Sequence, residues 1–306
     1  MIHVSVEIAF ELGYYGSNAK DAEIDLYDIA QALTGFQRSL ALTTQLVLND
    51  EIITQAPKLK GVEILARPPE VGSWKLPARV VITATALYTI GTAPKDTAIG
   101  HLVFSAYDYV IKQSLGFHVD FDKSLGESYE NLRNLDNTAP ELKEYRYDSL
   151  IEKCESSIRE IHRPIYGRGT AEKGNISAGS RFDRMSPLGS DLTLSTYEYI
   201  HRSIKSNRPE QFKGRVSSYN SNTYYGRIFL HSTGFTIPFQ LSGDARLSEK
   251  VMIVANSLTA NIQRDENEEY GVVYVKAYKV TSKNDRLKKL EIIDISTTPF
   301  IIDDDL

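Results

Sequence analysis

The chain is poor in the residues that anchor special chemistry. Among 306 residues there is one cysteine, Cys154, one tryptophan, Trp74, and three methionines. A single thiol excludes an internal disulfide framework and any zinc site built on cysteines, and it suits a reducing, cytoplasmic compartment. No apolar run in the sequence approaches the roughly eighteen residues of a membrane-spanning helix, so no transmembrane span is expected. The opening Met1-Ile2-His3-Val4-Ser5-Val6-Glu7 has no basic stretch followed by an apolar core, so no secretory leader is expected either. GxSxG, HExxH, CxxC and GxxxxGK[ST] are all missing, so no motif marks a catalytic centre or a bound cofactor. What remains is ordinary globular composition, 42% hydrophobic and 25% charged, which rules out a disordered chain.

Charge of one sign is also scarce overall, with a net of −5, but it is unevenly placed. Residues 1–150 hold 13 Lys+Arg against 20 Asp+Glu, residues 151–215 hold 12 against 8, and residues 216–306 hold 10 against 12. A protein that binds nucleic acid over its whole surface would be basic throughout, so any polyanion contact is local, and residues 151–215 are its expected place.

Periodicity assigns an α+β protein. Ile2, Val4, Val6, Ile8 and Phe10 alternate as a half-buried strand. Leu26, Ile29, Ala30, Leu33, Phe36 and Leu40 recur at helical spacing behind Asp25, a side chain suited to cap the helix N-terminus. Two strands follow, 62–67 and 74–82, the second carrying Pro77 and therefore expected at an edge or a bulge. Helices are expected at 99–115, about 122–135 and about 138–161. Residues 163–190 contain five glycines among polar residues and read as a long irregular basic loop. From Phe212 the pattern turns to short strands, 215–219, 226–231, 235–241, 250–255, 272–280 and 290–295, the texture of a small SH3-like or OB-like barrel. The expected domains are an α+β unit at 1–135, a helical segment with the basic loop at 136–208, a small β-barrel at 209–298 and an acidic tail at 299–306.

Two stretches, Leu33-Thr34-Gly35-Phe36-Gln37-Arg38 and Pro68-Pro69-Glu70-Val71-Gly72-Ser73-Trp74, together with the C-terminal barrel, resemble a bacterial family of two-domain proteins of unknown function. The resemblance implies an α+β N-terminal domain and a five-stranded C-terminal barrel, and it assigns no active site.

Three constellations carry candidate chemistry. His118, Asp120 and Asp122 alternate, so in an extended segment one imidazole and two carboxylates share a side and suit a divalent metal. His101 and Asp108 share a helical face as a candidate oriented base. Arg163, Arg168, Lys173, Arg181 and Arg184 punctuate the basic loop and form the candidate anion or nucleic-acid site, since planar guanidinium forks pair with phosphates. In the barrel, Tyr219, Tyr224, Tyr225, Phe229, Phe235 and Phe239 lie close in sequence to Arg215, Arg227 and His231, a mixture suited to stacking single-stranded bases or simply to packing.

The expected function is a non-enzymatic binding or scaffold protein of a bacterial cytosolic system. It would recognise a protein partner through the barrel and basic loop and assemble as a homo-oligomer, because the apolar runs 80–90 and 99–111 exceed what one small sheet covers. Two alternatives stand beside it. One is a nucleic-acid or nucleotide-binding component of a defence or mobile-element system. The other is a divalent-metal-dependent hydrolase using His118, Asp120 and Asp122.

Overall fold

The computed structural model describes residues 6–53, 59–67, 74–82, 94–135, 144–179, 185–263, 270–282 and 287–301. The chain divides into two units, Met1–His201 and Arg202–Leu306. The first rests on antiparallel strands and the second on a mixed sheet with one parallel pair, and the α+β class expected from periodicity is what forms.

The first unit is built on a five-stranded sheet. Its strands are β1 (Val6–Tyr15), β2 (Val62–Ala66), β3 (Trp74–Ile82), β4 (Lys173–Gly179) and β5 (Ser186–Leu192), in the order β2-β3-β1-β4-β5, antiparallel throughout. Alternation sorts β1 cleanly. Ile8, Phe10, Leu12 and Tyr14 enter the core. On the other side Glu7 pairs with Arg79 at 2.8 Å and Glu11 with Lys75 at 3.2 Å. The core layer is completed by helices Leu26–Asn49, Pro94–Ser114 and Glu144–Ile161. Asp25 caps the first of these as its side chain predicts, accepting the Tyr27 and Asp28 N–H groups at 3.1 Å. Gly35 lets this helix meet Glu144–Ile161 backbone to backbone, since a Cβ there would collide with the Ser157 carbonyl oxygen.

Several expectations need correction. The irregular basic loop is absent as such, because residues 173–179 and 186–192 are β4 and β5. Ile176 and Ala178 on one side and Asn175 and Ser177 on the other alternate as strands do, but the glycines masked that period. Pro77 is not on an edge strand, since β3 lies between β2 and β1. Its carbonyl accepts the Arg67 N–H at 2.9 Å, so its ring nitrogen faces the end of β2 rather than β1, and only the reciprocal bond to Arg67, just past Ala66, is forgone. The apolar helix expected to drive self-association is consumed internally: Leu102, Val103, Ala106, Tyr107, Tyr109, Val110 and Ile111 are all buried in the first unit's core. Residues 83–90 of the same expectation lie outside the described residues, as does the Thr138 helix start.

The second unit has a closed barrel of five strands. These are β7 (Glu210–Asn220), β8 (Tyr225–Leu230), β9 (Phe235–Leu241), β10 (Val273–Thr281) and β11 (Leu287–Ser296), with the two-residue β6 (Ile204–Lys205) added beside β10. β7, β8 and β9 form an antiparallel meander. β9 then pairs in parallel with β11, β11 runs antiparallel to β10, and β10 closes on β7. A helix, Ser248–Gln263, joins β9 to β10. This connectivity is that of the OB fold and decides between the two barrels expected. The helix replaces the strand anticipated at 250–255. A short apolar run such as Val251-Met252-Ile253-Val254 does not reveal its period alone, and the buried set Val254, Ser257 and Ala260 shows it to be helical.

Candidate functional site

The cations singled out in the first unit are engaged. Arg163 opens the short helix Arg163–Tyr166 and meets Asp28 at 3.1 Å and Glu160 at 3.4 Å. Asp28 is 2% exposed, and its second oxygen accepts the Arg168 backbone N–H at 2.9 Å. Gly167 is needed for this approach, because a Cβ would lie 2.6 Å from the same carboxylate. Hydrogen bonding to Asp28 pushes the Arg163 guanidinium above its usual range, so it stays charged. Arg168 pairs with Asp25 at 3.3 Å, and Lys173 on β4 pairs with Asp191 on β5 at 3.3 Å. Arg181 and Arg184 lie outside the described residues. The three described cations therefore tie the 163–168 segment to the start of the first helix and β4 to its neighbour.

The other first-unit constellations behave similarly. Asp120 turns back to accept the Lys123 N–H at 2.9 Å, and Asp122 opens the wide helical turn Asp122–Gly126. Among the described residues no group of three His, Cys, Asp or Glu side chains is placed to hold a metal, so His118, Asp120 and Asp122 are not brought together. Asp108 binds Lys112 at 2.6 Å and the Gly189 N–H at 2.8 Å, which docks its helix on β5; His101 is exposed. Cys154 is buried, and desolvation pushes its thiol up to about 12, which removes the thiolate that reactivity requires.

The barrel holds a different arrangement. Cross-strand register sorts its aromatics into two sets. Ile228 and Leu230 of β8 point into the core, with Ile237, Phe239 and Leu241 of β9. Tyr219 stacks on Phe239 at 6.2 Å and Tyr224 packs against the same cluster under Arg246, 5.0 Å from its ring centre. Desolvation raises the Tyr219 hydroxyl's pKa. The intervening positions form the outer face of the meander: Tyr225, Arg227 and Phe229 on β8, with His231 beyond its end. Opposite them on β7 stand Arg215, across from Phe229, and Ser218, across from Arg227; on β9 stand Gln240, Pro238 and Thr236. Lys213 joins from β7, its carbonyl accepting the His231 N–H at 3.1 Å.

This face combines flat apolar rings with positive charge. Phe229 is 39% exposed, and its ring centre lies 5.9 Å from that of His231. The Lys289 ammonium donates to the Tyr225 hydroxyl at 3.1 Å and lies 5.5 Å from its ring centre. The acid on the neighbouring strand, Glu291 opposite Gln240, is paired with Lys205 at 2.9 Å. The face is thus locally basic inside a segment whose charges sum to an acidic total. Sequence proximity had gathered Arg215, Arg227, His231, Tyr225 and Phe229 but could not separate them from Tyr219, Tyr224 and Phe239. It missed Lys213 and Lys289, which the parity of β7 and β11 would have placed had the strand ends been known.

The family comparison divides the chain where the structure does. Residues 10–195 match a domain of unknown function, DUF7946, and residues 208–296 match a family of unknown function, DUF7947. The first match covers more than half of the chain, and the protein belongs to that family. No curated protein and no solved structure matches it. No described helix is long and apolar enough to cross a membrane.

Proposed function

We propose that this is a binding protein whose barrel holds single-stranded nucleic acid on the outer face of β7, β8 and β9. The observation that carries the reading is the one-sided sorting of that meander: Tyr225, Phe229 and His231 lie on the same side as Lys213, Arg215 and Lys289, while the apolar partners face inward. Exposed rings stack bases of any sequence, and cations neutralise the phosphates between them. The same meander face is where OB barrels commonly take oligonucleotides, an analogy of fold that adds weight without assigning function. The first unit then serves as a scaffold, in keeping with cations that are committed to internal ion pairs.

The test is fluorescence anisotropy of a short labelled single-stranded oligonucleotide against the full chain. Binding is expected at low salt and should weaken steeply as salt rises, because released counterions carry the affinity. Phe229→Ala should weaken binding at every salt concentration, by about tenfold, from the loss of one stacked base. Absence of binding at low salt overturns the reading.

A further inference from the structure

The five-stranded sheet of the first unit has two edges, and the chain treats them differently. β5 forms one edge. It carries Pro187, which has no N–H, and its Gly189 N–H is taken by Asp108 at 2.8 Å. β2 forms the other, and among the described residues no strand lies beyond it. The Arg67 N–H donates inward to the Pro77 carbonyl. Inward and outward bonding alternate along an antiparallel strand, so Glu63 and Leu65 also bond towards β3, opposite Val81 and Arg79. The N–H and carbonyl groups of Val62, Ile64 and Ala66 therefore point away from the sheet, where another strand can pair with them.

The side chains of β2 fit that edge to its own copy. Val62 is buried and Ile64 packs on the core, whereas Glu63, Leu65 and Arg67 share the outer side of the sheet and are exposed, Leu65 by 43%. A two-fold axis at Leu65, perpendicular to the sheet, sets Glu63 opposite Arg67 of a second copy and Leu65 opposite its equivalent. In the same register Ile64 and Ala66 face Ala66 and Ile64 of the other chain, each offering an outward N–H and carbonyl. Glu63, Leu65 and Arg67 then occupy the positions without hydrogen bonds across the seam, where opposed side chains come closest. An axis at Ile64 would set Glu63 against Leu65, and one at Ala66 would set Leu65 against Arg67, so only Leu65 pairs the charges. Arg67 already has an interaction within its own chain, but it is exposed, and surface ion pairs exchange at little cost. Pro68 follows with no N–H to extend the seam.

We propose that β2 is a self-association edge: two copies of the chain pair β2 with β2, antiparallel about Leu65, and join their sheets into one. The occupant is a second copy because the order Glu63, Leu65, Arg67 is complementary to its own reversal. A strand of unrelated sequence would match it only by coincidence. The seam is short, so the dimer belongs to the weak, concentration-dependent class. It uses no part of the barrel, and it stands or falls independently of the nucleic-acid reading.

Sedimentation equilibrium of the full chain over a wide concentration range decides it. The wild type should pass from monomer to dimer as concentration rises. Glu63→Arg and Arg67→Glu each set like charges across the seam on both sides of the axis, and each should weaken self-association about tenfold. Both side chains are exposed, so each variant should melt with the wild type. An equimolar mixture of the two variants should recover dimers, because the arginines of one chain then face the glutamates of the other. A wild type that stays monomeric at the highest concentration overturns the proposal and leaves the edge to a strand of another protein. Variants that dimerise as tightly as the wild type overturn it by placing the interface elsewhere. Variants that stay monomeric even when mixed overturn the register about Leu65.

Discussion

The two units use the same residue types to opposite ends. In the first, Arg163, Arg168 and Lys173 each meet a carboxylate, and buried Asp28 gathers a guanidinium and a backbone N–H. In the second, Tyr225, Phe229 and His231 lie on the same side of the meander as Lys213 and Arg215, and the Lys289 ammonium donates to the Tyr225 hydroxyl. Segment charge alone does not tell these two arrangements apart. Of the basic middle segment, Arg163 and Arg168 meet Asp28 and Asp25 of the acidic segment before it, whereas Lys213 and Arg215 lie on the first strand of the barrel. What decides whether a cation is available to a ligand is which carboxylates the fold brings to it, and that is a property of topology.

The sharpest way to break this contrast is to titrate the first unit. His162 is fully buried; its Nδ1–H donates to the Ile158 carbonyl at 2.8 Å, and Nε2 lies 2.9 Å from the Thr196 hydroxyl. Burial lowers its pKa from 6.5 to about 4, and the bond to Ile158 opposes that shift only in part. Between those two values the unfolded chain takes up a proton that the folded chain refuses. Stability is therefore present in full above about pH 6.5 and is lost as pH falls towards 4, by about 3 kcal/mol in all. Thermal melts of His162→Gln should lack this share of the pH dependence, while the barrel's own transition is unmoved. An identical pH slope in wild type and variant would mean that the histidine is not held neutral.

A second test probes packing. Gly35→Ala places a methyl group against the Ser157 backbone where helices Leu26–Asn49 and Glu144–Ile161 cross, and backbone cannot step aside as a side-chain tip can. A loss of about 1–3 kcal/mol is expected from denaturant midpoints. A neutral result would place the helices further apart than the structure does.

Much of this architecture was legible beforehand, for identifiable reasons. The first helix announced itself because Asp25 and the apolar spacing from Leu26 agree, and it ends at Asn49 before Asp50 as the polar pair suggested. β2 and β3 were legible because half-buried strands alternate. β4 and β5 were not, because Gly174, Gly179 and Gly189 read as loop punctuation, and the pairing of β4 with β1 spans more than 150 residues of chain, which no local pattern encodes. Helix Ser248–Gln263 is illegible because the consecutive apolar residues Val251 to Val254 fit a strand and a helix equally. The site was half legible. The right aromatics and arginines were in view, but inward and outward sets differ only by parity, and parity slips at the Ser217 bulge.

The smallest expected effect on stability separates a surface built for a ligand from one built for packing. Phe229 is 39% exposed, and its outward neighbours are Arg215 and Thr236, so its ring is less enclosed in the free barrel than a core ring is. Truncating a core ring such as Phe239, which is wholly buried, costs about 3–5 kcal/mol. Phe229→Ala should instead cost about 1 kcal/mol, near the middle of the range for single substitutions, while still weakening oligonucleotide binding. The two quantities are read from the same preparation, by a denaturant midpoint and by anisotropy. A barrel that loses several kcal/mol on this substitution would be using the ring to hold itself together, and the meander face would then be packing material like the engaged cations of the first unit.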